Sequence, residues 1–197
     1  MHVHGRWRLF PFEALLEHLP EQGRFLDLGC GNGLWTFVMA NFRPNAEVVG
    51  IDADPRKIAV ARQVAENSEI DNVRFYIGDA GDFSDSGYSL ICAVDVFYLL
   101  KPGLQREIIK KASDRLEPGG KFILKTMGKQ PGWKFALNVF EETLAVRVFR
   151  FTQGGRFHFR DAPGWRALFM EFGFTVVRYP LDRGYPHPHL LLVARKP

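Results

Sequence analysis

A glycine-rich turn near residue 30 restricts the fold of this 197-residue chain more than any other segment does. The apolar run Arg24–Leu28 before the turn predicts a strand, and the apolar spacing of residues 34–42 after it predicts a helix. Between them, Gly29, Gly31 and Gly33 stand at alternate positions. Glycines let backbone N–H groups approach a ligand at distances where any Cβ would collide. The segment therefore predicts an α/β unit with a ligand at its turn.

The alternation of strands and helices continues through the first two thirds of the chain. A short amphipathic helix is predicted before the first strand, from Pro11 to about Pro20. Pro118-Gly119-Gly120 predicts the turn into the fifth strand. Strands separated by helices in this way predict a mainly parallel sheet with right-handed crossovers. The further strands are predicted at residues 47–51, 73–77, 88–94 and 121–125, and the further helices at 55–67 and 104–116.

The pattern changes in the last third of the chain. Residues 134–149 predict a long helix that is apolar almost all round. Alternation of Phe with polar residues over 156–160 predicts an extended segment. Asp161 is expected to cap a helix that ends at Gly173. The remaining predictions are a turn at 152–155 and two closing strands at 174–179 and 189–194.

Length and cysteine content bound the organisation of the protein. A chain of 197 residues suits one domain. The two cysteines, Cys30 and Cys92, do not stand at framework spacing, which favours a reducing, cytoplasmic compartment. No stretch approaches the length that crosses a bilayer. We expect a single domain over 1–197, made of an N-terminal helix segment, a cofactor-binding core, a substrate-side insertion and a closing helix with two strands, at residues 1–22, 23–126, 127–165 and 166–197.

Four motifs in order carry a family resemblance. The run Asp27-Leu28-Gly29-Cys30-Gly31-Asn32-Gly33 has its third glycine one residue earlier than the dinucleotide-binding fingerprint G-x-G-x-x-G. Asp52 ends the second strand about 20 residues after the glycine turn, at the position where an acidic side chain accepts both ribose hydroxyls. Gly78-Asp79-Ala80 follow the third strand, and Leu116–Lys121 lead into the fifth. This set resembles the class I, Rossmann-like S-adenosylmethionine-dependent methyltransferases, and the chain is identified as a member of their small bacterial type.

The resemblance covers residues 23–126 and implies the family's fold and cofactor. That fold is α/β, a doubly wound, mainly parallel sheet of seven strands in the order 3-2-1-4-5-7-6, with an antiparallel last strand and helices on both faces. The cofactor is S-adenosylmethionine, and its product is S-adenosylhomocysteine. Asp79 is implied to lie near the adenine amino group. The implied cofactor-binding residues are Asp27, Gly29, Cys30, Gly31, Asn32, Gly33, Asp52, Ala53, Asp79, Ala80 and Val94.

Charge is divided unevenly along the chain. Residues 1–120 carry 13 Lys and Arg against 17 Asp and Glu, whereas residues 121–197 carry 13 against 5. The basic end predicts an anionic partner, such as a phosphorylated or carboxylated substrate, a carrier protein, a membrane surface or nucleic acid. The alternative interpretation is a solvated basic face without a partner.

The residues around strands four and five narrow the acceptor classes. The run Val94–Tyr98 is unlike the N-P-P-Y type motif of enzymes that methylate exocyclic amines of bases. Cys92 lies within a strand and not in the Pro-Cys position used for covalent attack on pyrimidines. Nucleic acid is therefore disfavoured as a partner. Lys125-Thr126 replaces the acidic pair of metal-dependent catechol-type enzymes, so no metal is implied.

Methyl transfer from a sulfonium is an in-line displacement that depends on positioning and on exclusion of water. A general base is needed only where the acceptor must lose a proton. His158 is the candidate base, because alternation puts it on one face with Arg156 and Arg160, and two cations are expected to lower its pKa. The alternative is a structural or surface histidine. Tyr98 is the second catalytic candidate, and Trp133, Arg156 and Arg160 are the candidate substrate-binding residues.

The apolar helix at 134–149 requires cover beyond the sheet, from an apolar substrate, a dimer partner or a lipid surface. Together with the basic charge, it favours a small-molecule or lipid-like acceptor that is apolar and carries an anionic group. A membrane-surface or dimer contact is expected through residues 133–151. The alternatives are an RNA methyltransferase and a non-catalytic S-adenosylmethionine-binding partner subunit, and the glycine spacing disfavours a nucleotide-dependent oxidoreductase.

Overall fold

The structure of the protein is a computed structural model that describes residues 12–127, 157–181 and 189–197. None of the helices in these ranges is long and apolar enough to cross a membrane. The strands are β1 (Gly23–Leu28), β2 (Ala46–Asp52), β3 (Val73–Ile77), β4 (Tyr88–Val94), β5 (Leu116–Met127), β6 (Thr175–Pro180) and β7 (His189–Arg195). The helices are α1 (Phe12–Leu16), α2 (Leu34–Phe42), α3 (Pro55–Glu66), α4 (Pro102–Arg115) and α5 (Ala162–Glu171), with a 3-10 helix at Phe97–Leu99.

The seven strands form one sheet in the order β3-β2-β1-β4-β5-β7-β6. Pairing is parallel from β3 to β5, and β7 is antiparallel to both β5 and β6. Parallel neighbours need a crossover connection, and helices supply it between β1 and β2, between β2 and β3 and between β4 and β5. The predicted doubly wound order and its antiparallel last strand are confirmed.

The central strands are buried because helices cover both faces of the sheet. Along β1, Leu26 and Leu28 pack in a cluster with residues of α4 and α5. Phe25, on the opposite face, packs in a second cluster with residues of α1, α2 and α3. Alternate residues of a strand point to opposite faces, so a strand covered on both sides is apolar throughout. This burial explains why these strands are mainly apolar in the sequence.

Strand β5 begins earlier than predicted. Leu116 already pairs with Tyr88, and the register shifts before Lys121 pairs with Leu90, so Pro118-Gly119-Gly120 form a bulge within the strand. The prediction of a turn that precedes the strand is therefore wrong. The physical reason is pairing with the end of the chain, because the N–H of Gly119 donates to the carbonyl of Lys196 at 3.2 Å and the N–H of Lys196 donates to the carbonyl of Gly120 at 2.9 Å.

Other differences lie at the ends of elements. Helix α1 ends at Leu16, earlier than predicted, and a turn follows in which the N–H of Leu19 donates to the carbonyl of Leu16. The predicted cap of α5 is confirmed, since the N–H of Gly164 donates to Oδ1 of Asp161 at 2.9 Å. Residues 157–160 form neither a helix nor a strand. The helix predicted at 134–149 and the turn predicted at 152–155 lie outside the described residues.

Candidate functional site

The glycine turn lies at the carboxyl end of β1 and is tied to its neighbours in the sheet. The N–H groups of Gly29 and Cys30 both donate to the carbonyl of Ile51, at 2.8 and 3.0 Å, so the turn is fixed to the end of β2. Gly29 has a φ of 70°, and a Cβ there would lie 2.5 Å from Cγ2 of Val96. A Cβ at Gly33, whose φ is 83°, would lie 2.7 Å from the ring of Phe75. These two glycines are required by packing within the protein.

Gly31 differs from the other two glycines of the turn. Its φ is 58°, and a Cβ there would meet no atom of the described chain within 4 Å. The turn therefore has an open face at Gly31, at the edge where parallel sheets bind ligands. A Cβ would project into this open space, which is the relation expected of a cradle for a close-fitting cofactor.

Asp52 joins this open face to the end of β2. Its Oδ2 accepts from the N–H of Gly31 at 2.9 Å, and its Oδ1 accepts from the N–H of Asp54 at 2.9 Å. These bonds hold the half-buried carboxylate in one orientation, while each oxygen keeps a second lone pair. Two fixed acceptors side by side fit the two ribose hydroxyls of S-adenosylmethionine. The residues present thus suit the cofactor that the fold family implies.

We expect Asp52→Ala to weaken S-adenosylmethionine binding about 10-fold to 150-fold, which corresponds to the ~1.5–3 kcal/mol of hydrogen bonds to a charged group. The variant loses the acceptor for the ribose hydroxyls and also the bond that holds Gly31. Calorimetric titration measures the change. Asp85→Ala is the matched control, because it removes an exposed carboxylate that pairs with Arg24 before β4 begins, at the opposite edge of the sheet. Equal affinities of Asp52→Ala and the wild type would remove the ribose assignment.

Asp27 joins the end of β1 to the helix that follows the glycine turn. Its side chain is 1% exposed, and its Oδ2 accepts the hydroxyl hydrogen of Thr36, in α2, at 2.7 Å. Burial raises the pKa of the Asp27 carboxyl to about 7, with a further increase from the negative charge of Asp52, while the Thr36 hydrogen bond opposes the rise. The contact links the end of β1 to the first turn of α2. The structure therefore gives Asp27 a role in shaping the turn, whereas a direct contact with the cofactor stays a prediction.

The raised pKa of Asp27 predicts a pH dependence of stability. The folded protein holds this proton up to about pH 7, whereas the unfolded chain releases it near pH 4. Between these values the folded state binds more protons, so its free energy of unfolding falls as pH rises, by on the order of 4 kcal/mol in total. Asp27→Asn lacks this contribution. Denaturant titrations should show the stability of Asp27→Asn relative to the wild type rising between about pH 4 and pH 7, and a constant difference would contradict a neutral buried carboxyl.

The other implied cofactor residues lie at the same edge of the sheet. Asp79 is exposed after β3, and its N–H donates to Oδ2 of Asp82 at 3.0 Å. The preceding Gly78 donates its N–H to the carbonyl of Asp52 at 3.1 Å, so the loops after β2 and β3 are joined. Burial raises the pKa of the half-buried Cys30 thiol. The remaining residues of the set also stand at the carboxyl ends of β1, β2, β3 and β4, namely Asn32, Ala53, Ala80 and Val94.

Hydrogen bonds hold the candidate acceptor-side residues His158 and Arg160 close to the 3-10 helix after β4. The N–H of His158 donates to the carbonyl of Tyr98 at 2.7 Å. Gln105, a buried residue of α4, donates from Nε2 to the carbonyls of Phe97 at 2.9 Å and His158 at 3.2 Å. Its Oε1 accepts from a guanidinium N–H of Arg160 at 3.4 Å. Sequence reasoning missed Gln105, although a Gln at an apolar position of a helix is a signal for a buried tether.

Tyr98 is placed by aromatic packing. Its ring, 4% exposed, stacks on Phe159 at a centroid distance of 5.3 Å and lies 6.0 Å from Phe157. The two Phe rings thus share one side of the segment, as the alternation predicted. The guanidinium of Arg160 lies over the ring of Trp165 at 5.4 Å. Trp133 and Arg156 are outside the described residues, and the catalytic and substrate-binding roles stay predictions.

A charged pair that the sequence did not reveal joins Asp95, just after β4, to Lys125, near the carboxyl end of β5. The carboxylate of Asp95 contacts Nζ of Lys125, and the side chain of Lys125 is 1% exposed. The N–H of Asp95 also donates to the carbonyl of Lys125 at 2.9 Å. The signal was available as charged residues at the carboxyl ends of two adjacent predicted strands. From the sequence, Lys125 was interpreted only as a replacement for the acidic pair of metal-dependent enzymes.

One known protein family matches more than half of the chain. A family model described as a methyltransferase domain matches residues 20–145. The chain belongs to this methyltransferase family. The resemblance of its four motifs to the class I S-adenosylmethionine-dependent methyltransferases is thereby confirmed. The matched range holds the whole glycine turn, Asp52 and the Asp95–Lys125 pair.

Two relatives and one solved structure illustrate the similarity. The chain is 35% identical over 57% of its length to a ubiquinone biosynthesis O-methyltransferase of Cereibacter sphaeroides. It is 32% identical over 82% of its length to a ubiquinone biosynthesis O-methyltransferase of Xanthomonas axonopodis. It spans 45% and 64% of these two enzymes. The crystal structure of the S-adenosylmethionine-dependent methyltransferase SibL matches the fold of this methyltransferase chain with a TM-score of 0.76 at 21% identity, over 98% of this chain and 57% of SibL.

Proposed function

We propose that this methyltransferase moves a methyl group from S-adenosylmethionine to an apolar small-molecule acceptor that carries a hydroxyl and an anionic group. The observation that carries the proposal is the open face at Gly31, linked by hydrogen bonds to a carboxylate that suits the ribose. The names of the two ubiquinone biosynthesis relatives support a hydroxylated, apolar acceptor rather than nucleic acid. The basic balance of residues 121–197 supports the anionic group.

The described residues have separable tasks in this reaction. Bound S-adenosylmethionine supplies an electrophilic methyl group on a sulfonium sulfur. Asp52 orients the ribose, the backbone of the glycine turn lies against the cofactor at Gly31, and Asp79 lies near the adenine. These contacts fix the cofactor relative to the sheet, so the acceptor needs only to be held in line with the methyl group.

The acceptor side lies over the ends of β4 and β5. His158 takes the proton of the acceptor hydroxyl as it is methylated, and Arg160 attracts the anionic group. Their backbone and side-chain bonds to Tyr98 and Gln105 keep both residues at this edge of the sheet. Aromatic rings of Tyr98, Phe157 and Phe159 pack together beside them and exclude water from the neighbourhood.

Transfer of an isotopically labelled methyl group tests the proposal. The protein is incubated with S-adenosylmethionine that carries a deuterated methyl group, once with an organic-solvent extract of bacterial cells and once with total bacterial RNA. We expect the label in an extractable small molecule, detected by mass spectrometry, and none with Gly31→Val. Label in RNA would instead establish the RNA methyltransferase alternative. Cofactor binding without label in either fraction would favour the non-catalytic partner subunit.

A further inference from the structure

Asp95 has an unusual backbone conformation at a functional edge of the sheet. Its φ is 54°, and among the described residues no other non-glycine residue has a positive φ. Side chains are disfavoured in this region, although Asp and Asn tolerate it better than most residues. Such a conformation persists where surrounding contacts impose it, and it is concentrated at binding and active sites.

Lys125 provides the contacts that impose it. The N–H of Asp95 donates to the carbonyl of Lys125 at 2.9 Å, and Oδ2 of Asp95 contacts the buried Nζ of Lys125. Val94 and Lys125 are partners in the β4–β5 ladder, so the pair is fixed to two central strands. A buried ammonium requires a carboxylate partner, which keeps Asp95 in place. One oxygen of the carboxylate is thereby committed.

The other oxygen of the carboxylate, Oδ1, makes no such contact. Oδ1 of Asp95 is buried from solvent and has no hydrogen-bond partner in the structure. Buried carboxylate oxygens almost always accept hydrogen bonds, and an exception calls for a physical reason. A rigidly held oxygen without a donor, at an edge of the sheet that binds ligands, suits a donor that arrives with a ligand.

Asp95 lies close to both the glycine turn and the acceptor-side segment. The next residue, Val96, fills the space that a Cβ at Gly29 would need, so Asp95 borders the glycine turn. On its other side, the 3-10 helix carries Tyr98, whose carbonyl holds His158. Asp95 therefore stands between the cofactor turn and the acceptor-side segment.

We propose that Oδ1 of Asp95 accepts a hydrogen bond from a second hydroxyl of the acceptor, beside the one whose proton His158 takes, with Lys125 as the positioning residue that holds the carboxylate. The inference rests on the proposed function and adds the group that recognises this second hydroxyl. A free hydroxyl donates to Oδ1, whereas a methyl ether has no hydrogen to donate and opposes one oxygen to another. Asp95 thus favours an acceptor whose second hydroxyl is free over one in which that hydroxyl is methylated.

Binding of two probes to the S-adenosylhomocysteine complex tests this role. The probes are 4-nonylcatechol and its dimethyl ether, in which a methyl group replaces each hydroxyl hydrogen. Calorimetry measures the affinity for each probe. We expect the wild type to bind the catechol at least ~10-fold more tightly than the ether, the ratio that one hydrogen bond to a charged group supplies. Asp95→Asn should reduce the ratio to about 2-fold or less, because its amide oxygen turns to Lys125 and its NH₂ faces the acceptor.

Three further measurements separate recognition from folding. Asn tolerates the positive φ, so Asp95→Asn should retain the wild-type affinity for S-adenosylhomocysteine. Asp114→Asn is the matched control, since it removes the carboxylate of an exposed Lys–Asp pair in α4, and it should keep the wild-type ratio. Lys125→Met should lower the ratio as Asp95→Asn does. If Lys125→Met fails to fold, the ratio of Asp95→Asn alone carries the test.

The outcomes distinguish this inference from the proposed function. A wild type that binds the cofactor product but binds both probes equally, or binds neither, overturns the role of Asp95. An unchanged ratio in Asp95→Asn overturns it as well. Failure of the wild type to bind S-adenosylhomocysteine at all would instead contradict the proposed function.

Discussion

Gly31→Val is expected to abolish S-adenosylmethionine binding while the fold survives. A Cβ at Gly31 meets no atom of the described chain within 4 Å, so the branched side chain displaces no neighbour in the protein. It instead projects from the open face of the turn, into the space assigned to the cofactor. The φ of 58° adds strain of about 1–2 kcal/mol, which lowers stability without unfolding a domain of typical stability. Calorimetry measures the binding, and circular dichroism with thermal melts measures the fold.

Gly87→Val is the matched control for this substitution. Gly87 has a φ of 75° and likewise has no described atom within 4 Å of an added Cβ, but it precedes β4 at the opposite edge of the sheet. The two variants should lose similar thermal stability, and Gly31→Val alone should lose the cofactor. Normal binding by Gly31→Val would mean that the glycine turn is a structural turn only.

His158→Ala is expected to lower turnover by roughly 10²-fold to 10⁴-fold without changing cofactor affinity, the range typical of a lost general base. The bonds that place residue 158 use its backbone N–H and carbonyl, which contact Tyr98 and Gln105. Truncation of the imidazole therefore leaves the segment in position and removes the proton acceptor. Single-turnover methyl transfer to the identified acceptor, together with calorimetry of the cofactor, measures the two effects separately.

His18→Ala controls for the loss of a partly buried imidazole. The ring of His18, which follows α1, lies tilted against the ring of Tyr179 in β6 at a centroid distance of 4.5 Å. Its removal should leave turnover at the wild-type level. Full activity of His158→Ala would leave positioning as the whole of the catalysis, and so would an acceptor complex in which the imidazole lies beyond one bridging water.

Elements with strong local signals were predicted to the residue. Helix Leu34–Phe42 and strands Val73–Ile77 and Tyr88–Val94 have the bounds that the sequence indicates, because apolar periodicity and terminating polar or glycine residues lie within each segment. β5 was predicted with the wrong start. Pro118-Gly119-Gly120 is a strong turn signal, yet pairing with Gly119 and Gly120 from the end of the chain keeps these residues in the sheet as a bulge.

The cofactor motif was predictable, but the tasks of its residues were not. The sequence presents Gly29, Gly31 and Gly33 as equivalent positions. Their difference depends on Val96, in the loop after β4, and Phe75, in β3, which occupy the space beside two of the three. Asp27 likewise stands beside the turn in the sequence, and only its burial shows why its carboxyl has a raised pKa.

Local order in the chain thus determines the sequence of strands and helices, the glycine turn and the acidic residue that ends β2, because each depends on neighbours a few residues away. Tertiary folding determines the rest of the site. Lys125 meets Asp95 across 30 residues, and Gln105 meets His158 across 53. No periodicity records such pairs, since their partners are set by strand order and helix packing. A buried charge or amide then requires its partner, and that requirement holds together the residues that we propose for the acceptor side.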